Sequence, residues 1–213
     1  MADASTSPPR RSTYRHGDLH RALLEAGTEL ARAGGPDAVV LREATRRVGV
    51  VPNAAYRHFA DRQALLAVVR SAALSALAAS IEAELAKLPH HDDPASAARA
   101  RLRAVGTGYL RFAQAEPGLF RTAFSIPADR QGASPASAGN GHMRPYQLLA
   151  AALDELVDAG VLPPKRRPGA ELLAWSAVHG LALLLIDGLL RGLDHTQTHA
   201  IEQRLLNMVE RGL

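Results

Sequence analysis

The sequence predicts an all-α fold of about nine helices, with a small N-terminal unit joined by a long helix to a larger helical domain. Two observations carry that prediction. Hydrophobic residues make up 47% of the 213 residues while aromatics make up only 4%. Most of the remainder is Ala and Leu, the strongest helix formers. Apolar residues also recur at three- and four-residue spacing, and long β-branched alternations are absent.

The elements follow in chain order. Leu19, Leu23, Ala26, Leu30 and Ala33 mark the apolar face of a first helix. Asp18 stands where a cap would accept its first free N–H groups, and Gly34-Gly35-Pro36 ends it. A second helix is read from Leu41 to about Val48, with Leu41, Ala44 and Val48 facing inward. Gly49 supplies a turn, because glycine accepts a positive φ at little cost. Pro52 suits the first position of a third helix running to Phe59. Asp61 caps a fourth, from Arg62 to about Leu88.

His90-His91-Asp92-Asp93-Pro94 breaks the pattern and opens a helix from Pro94 to Ala115. A short helix over Gly118–Ser125 follows. Residues 127–141, rich in Pro, Gly, Ser and Ala, read as a loop. Three more helices are expected, over Tyr146–Ala159, about Gly169–Arg191, and Thr196–Gly212.

Composition excludes some chemistry. There is no cysteine, so disulfides, thiolate nucleophiles and Cys-ligated metals are out. Met1–Ser12 lacks an apolar stretch and does not read as a secretory signal. The apolar run Leu172–Leu190 contains Ser176, His179, Gly180 and Asp187, which favours a buried helix over a membrane span. The expected location is the cytoplasm. His90-His91-Asp92-Asp93 and His195/His199 are weak metal patterns. Neither a P-loop, a Gly-x-Ser-x-Gly nor a dinucleotide fingerprint is present. No cofactor, metal or catalytic residue is expected, and the chain does not read as an enzyme.

The charge is uneven. Residues 10–70 carry 11 arginines against 6 acidic side chains, while residues 71–213 carry 14 basic and 14 acidic ones. The positive excess thus belongs to the first third, as expected if that part meets a polyanion. The second and third helices, separated by a glycine turn, form a helix-turn-helix pattern. A helix that enters the major groove must be short and exposed on one face. Pro52–His58 fits: Asn53 and Ala54 are small, and Tyr56, Arg57 and His58 carry donors. Ala55 and Phe59 can pack back on the first two helices. Spacing alone leaves a second reading open, a helical hairpin with an arginine-decorated, solvated face.

The wording of the sequence goes further. LREATRRVGV followed by AAYRHFADRQALL, within an unbroken stretch from Tyr14 to about Leu66, closely resembles the N-terminal domain of the TetR (tetracycline-repressor) family. The resemblance implies a one-component regulator, a homodimer that represses by binding a palindromic double-stranded operator. Carried over position by position, it implies that Tyr56, His58 and Arg62 contact phosphates. Arg42, Arg46, Pro52, Asn53 and Ala54 would face the DNA beside Arg57. Arg15 and His16, before the first helix, would form an arm. Two positions depart from the family's usual Ser or Thr: Val40 and Val51 offer neither a cap nor a hydrogen bond.

LLAWSAVHGLALLLIDGLL resembles a subgroup of the family with a Trp and a His-Gly in this penultimate long helix, here Trp175, His179 and Gly180. That resemblance implies a small-molecule effector site between the C-terminal helices. It also implies a four-helix bundle made by the last two helices and their copies. Ala174, Ala177, Gly180, Ala182 and Gly188 are compatible with close helix approach. Pocket candidates are Tyr109, Phe112, Phe120, Phe124, Met143, Tyr146, Trp175, His179 and Leu183. Each can equally be a core residue. His179 and Asp187, polar groups in an apolar run, either pair with other helices or line a cavity. The expected organisation is a tail over 1–13, a DNA-binding domain over 14–66 and a ligand-binding and dimerisation domain over 67–213.

Overall fold

Helix α1 (His16–Gly34) buries Leu19, Leu23, Ala26, Ala31 and Leu30 against its neighbours. It begins three residues earlier than its apolar spacing suggests, so Asp18 and His16 lie in its first turn rather than before it. Ala33, expected on the inner face, is exposed, and Ala31 is fully buried instead. The helix ends where predicted, and Gly35 turns the chain with φ +70°. The computed structural model describes residues 16–125 and 144–213. Arg15, Met143 and the expected loop over 127–141 lie outside the described residues.

Helix α2 (Leu41–Val48) and helix α3 (Pro52–Ala55) are joined by a turn in which Gly49 has φ +75°. Leu41, Ala44, Thr45 and Ala55 are buried there. Helix α3 stops four residues short of Phe59. The chain leaves the helix through turns in which the N–H groups of His58 and Phe59 both donate to the carbonyl of Ala55, at 2.9 Å. Phe59 is nonetheless buried, as its spacing from Ala55 predicts. Helix α4 (Arg62–Leu85) is capped by Asp61, whose Oδ1 accepts from the N–H of Ala64 at 2.8 Å.

The remaining helices are α5 (Pro94–Ala115), α6 (Pro117–Ala123), α7 (Arg144–Asp158), α8 (Ala170–Ile186) and α9 (His195–Gly212). Among the described residues there are nine α-helices and no strand. Helix α8 ends five residues before the predicted Arg191, and Asp187 begins the turn that follows it. Asp194 and Gln197 form a reciprocal capping box at the start of α9, which satisfies two N–H groups that would otherwise lack partners.

Helix α4 is the central element. It packs on α1 of the N-terminal unit and on α5, α6 and α7. By length and apolar composition it is the one described helix that could cross a membrane, yet Leu65, Val69, Ala73, Leu77 and Ile81 on it are fully buried in the protein. Helix α6 adds a second connection. A Cβ at Gly118 would collide with the carbonyl oxygens of Ala31 and Arg32, so α6 rests backbone to backbone on the last turn of α1. Arg32 reinforces the contact by donating from Nε to Glu116 Oε2 at 2.8 Å.

Candidate nucleic-acid interface and C-terminal cavity

The N-terminal unit presents one continuous face of polar side chains. The side chains of Arg42, Asn53, Tyr56 and Arg57 are exposed and make no hydrogen bond or ion pair among the described residues. Pro52 is exposed beside them, and Ala54 is half-buried. Behind this face Ala55, Phe59, Leu41 and Ala44 are buried. The short α3 is therefore held by apolar packing while its outward residues point to solvent. His58 is half-buried and meets His20 edge to face, with ring centroids 6.1 Å apart. His20 in turn stacks on Phe59 at 4.9 Å.

Three expected contacts are modified. Arg46 is exposed, but its Nη2 and Nε donate to Glu43 at 2.7 and 2.9 Å. That bonding holds the Glu43 carboxyl below its ordinary range. Arg47 shares the same carboxylate at 3.6 Å. The charge of Arg46 is thus partly compensated before any phosphate arrives. Arg62 is tied inward: Nε donates to the carbonyl of Val39 at 2.8 Å and Nη2 to that of Pro36 at 2.6 Å. It holds the α1–α2 connection onto the start of α4, which the local sequence pattern does not reveal. His16 sits at the first residue of α1, not on a preceding arm. Val40 and Val51, as expected, cap α2 and α3 without a side-chain hydrogen bond.

In the C-terminal part, the aromatic candidates mostly converge. Tyr109 of α5, Phe120 of α6, Phe124 just after it, and Trp175 and His179 of α8 form one cluster, with neighbouring ring centroids 4.9 to 6.3 Å apart. Tyr146 of α7 joins through Trp175 at 5.5 Å. Tyr109 Oη lies 2.7 Å from His179 Nδ1. Burial pushes the Tyr109 phenol well above its ordinary range, against a hydrogen bond from the Trp175 indole that pulls the other way. Burial also lowers the His179 imidazole. Both groups are therefore neutral near pH 7.

Next to this cluster lies a cavity of about 40 Å³, lined by Ile81, Leu102, Val105, Gly106, Leu149, Val178, Leu206 and Val209 together with Arg103, Tyr109, Pro145, Ala174 and Trp175. Arg103, its one charged wall, donates to Gln203, Asn207 and Glu210 of α9. Of the expected pocket residues that are described, Tyr109 and Trp175 line the cavity and the others do not. Phe112 is buried elsewhere in the core. Leu183 is 40% exposed and belongs to the outer surface of α8. The lining positions Leu102, Val105, Gly106 and Tyr109 follow helical spacing on α5, a signal present in the sequence but indistinguishable there from ordinary core.

His179 of α8 and Asp187, in the turn just after it, are both satisfied by pairing. His179 meets Tyr109, and Asp187 forms a bidentate pair with Arg121 of α6. Ala174 and Ala182, expected to allow close approach of a second copy, are buried inside the protomer, whereas Ala177 and Gly180 are half-buried.

A helix-turn-helix backed by its own core, and fastened through α4 and α6 to a helical body with an internal cavity, is the architecture of a DNA-binding transcription regulator. Comparison with known proteins then gives the family. Residues 23–69 match the family described as "Bacterial regulatory proteins, tetR family", and residues 102–209 match "Tetracyclin repressor-like, C-terminal domain". The chain belongs to the TetR family of bacterial regulators.

Among solved structures, a protein of unknown function from Rhodococcus sp. RHA1 is 27% identical with a TM-score of 0.74, covering 95% of this chain and 99% of that one. A TetR family transcription regulator from Marinobacter aquaeolei is 18% identical with a TM-score of 0.61, covering 91% and 94%. The TetR family regulator PfmR from Thermus thermophilus is 21% identical with a TM-score of 0.56, covering 90% and 98%. The last two share the fold. No curated protein matches the chain.

Proposed function

We propose that this regulator is a repressor that binds a palindromic operator as a homodimer and is released by a small ligand held in its C-terminal helices. The observation that carries the reading is the exposed face of Arg42, Asn53, Tyr56 and Arg57, on a helix-turn-helix whose inner residues are buried. Arg42 and Arg57 supply uncompensated charge for phosphates. Asn53 supplies the donor–acceptor pair that suits an adenine edge. Tyr56 and His58 add backbone contacts, with Pro52 and Ala54 allowing close approach. Arg46 and Arg62 take secondary parts, because each already holds an internal partner. The division of labour follows the chain, with DNA contact before about residue 66 and sensing and assembly after it, in the cytoplasm.

The second copy is supported by α8. Leu172, Leu173, Leu183 and Leu184 are 40–65% exposed and lie along one side of the helix with Ser176 and Gly180. Met208 of α9 is 61% exposed. Apolar surface of this extent on two adjacent helices suits an isologous pairing with the same face of another chain. The ligand reading rests on the apolar cavity beside Tyr109 and Trp175. At about 40 Å³ it holds little more than a water molecule, so a larger ligand must displace lining side chains such as the half-buried Trp175.

A gel-shift titration with the DNA flanking its own gene tests the proposal. A specific complex at moderate salt, with stoichiometry of two chains per duplex, is the expected result. Absence of any sequence-specific complex would sink it.

A further inference from the structure

The DNA face contains an apolar feature that phosphate contact does not explain. Val51 is 69% exposed and Val40 is 42% exposed; with Tyr56 they are the large hydrophobic residues left in solvent on the described N-terminal unit. Neither side chain caps its helix. Val51 is continuous with exposed Pro52, and the two stand between Arg42 and Arg46 on α2 and Asn53, Tyr56 and Arg57 along the chain. Val40, Val50 and Pro52 line one open recess with Arg42, Thr45, Arg46 and Glu43, whose carboxylate is held by Arg46, so that Arg42 is left as its uncompensated charge.

The packing of the unit does not call for a valine at 51. The core is complete behind it, through Ala55, Phe59, Leu41 and Ala44. Exposed arginines flank the patch, so the surface that covers it is anionic, which disfavours an apolar protein partner and favours DNA. In the major groove each base edge offers donors and acceptors, and one apolar group: the C5 methyl of thymine. A branched aliphatic side chain beside a polar reader such as Asn53 is matched to that methyl.

We propose that Val51 reads a thymine methyl in each operator half-site, next to the base pair addressed by Asn53, so that this position specifies T through apolar contact instead of a hydrogen bond. The inference rests on the operator-binding reading above and deepens it.

Thymine differs from deoxyuridine by that methyl alone, which makes the test direct. The full chain is used to select sequences from a random double-stranded library, and each thymine of the selected duplex is replaced singly by deoxyuridine. For the wild type, one thymine per half-site should lose about fourfold in affinity on replacement, the effect of removing one buried methyl group from a contact. The loss should vanish in Val51→Ser and persist in Val51→Ile. Circular dichroism melts confirm that the variants fold, as expected for so exposed a position. Equal binding of thymine and deoxyuridine at every position, or a sensitivity unchanged in Val51→Ser, overturns the methyl contact while leaving operator binding standing. Failure to select any sequence overturns operator binding itself, and the methyl contact with it.

Discussion

The two working regions of this molecule are built on opposite plans. The helix-turn-helix turns its functional side chains outward, with Arg42, Asn53, Tyr56 and Arg57 unpartnered and exposed among the described residues. The C-terminal cluster turns them inward, where Tyr109 and His179 satisfy each other and Trp175 packs against Tyr109 and Phe124. The first region is ready for a ligand that brings its own charge and hydrogen bonds. In the second, Tyr109 is committed to His179 and Arg103 to α9. A surface site can leave donors to water at little cost, whereas a buried donor without a partner costs about 1–3 kcal/mol.

The contrast can be broken most severely at Phe59. Truncation to Ala should destabilise the chain by about 3–5 kcal/mol in denaturant unfolding, because a fully packed ring leaves a cavity. The chain has a single tryptophan, Trp175, which reports the C-terminal cluster alone. Its fluorescence transition should therefore lag the loss of helix signal in Phe59→Ala if the two regions are separately held.

Gly118→Val attacks the connection between them. Its side chain would strike the carbonyls of Ala31 and Arg32, so α6 must shift from α1. A loss of about 1–3 kcal/mol is expected, with operator affinity reduced although no DNA-facing residue is touched. Thermal melts and a binding isotherm on the same sample check both halves.

Asn53→Ala should sharpen the comparison from the other side. The melting temperature should stay unchanged, since the residue is exposed. Discrimination at one base pair should fall about tenfold, as expected for loss of a bidentate base contact. Competition gel shifts with single-base variants measure it.

The smallest effect belongs to His179. Its imidazole is held neutral by burial, so protons bind the unfolded chain more readily than the folded one. Stability from this group is fully present above the ordinary histidine value of about 6.5 and is lost as pH falls from there through the lower folded value. In His179→Gln the melting temperature should decline less over that window than in the wild type.

How legible each region is in the sequence follows from the same contrast. Ala55, Phe59, Gly49 and Pro52 are close along the chain, and their spacing decides which side of the turn is buried. The outward residues follow by subtraction. Arg62 is illegible for the opposite reason: its partners, Pro36 and Val39, lie 26 and 23 residues away. A basic side chain at a helix start looks the same whether it meets a phosphate or a carbonyl. Likewise the cavity lining draws on five helices. On α8, Leu183 and Leu185 read alike, although Leu183 is exposed and Leu185 is buried. The apolar run covers the whole circumference of that helix, so its period carries no direction.

The central claim is that the exposed face of α2 and α3 meets DNA. Affinity for the selected duplex, measured from about 50 to about 200 mM salt for the wild type and for the double variant Arg42→Ala/Arg57→Ala, tests this directly. A steep salt dependence in the wild type that becomes shallower by about two released counterions in the variant is the predicted result. The same affinity and the same slope in both proteins would contradict it.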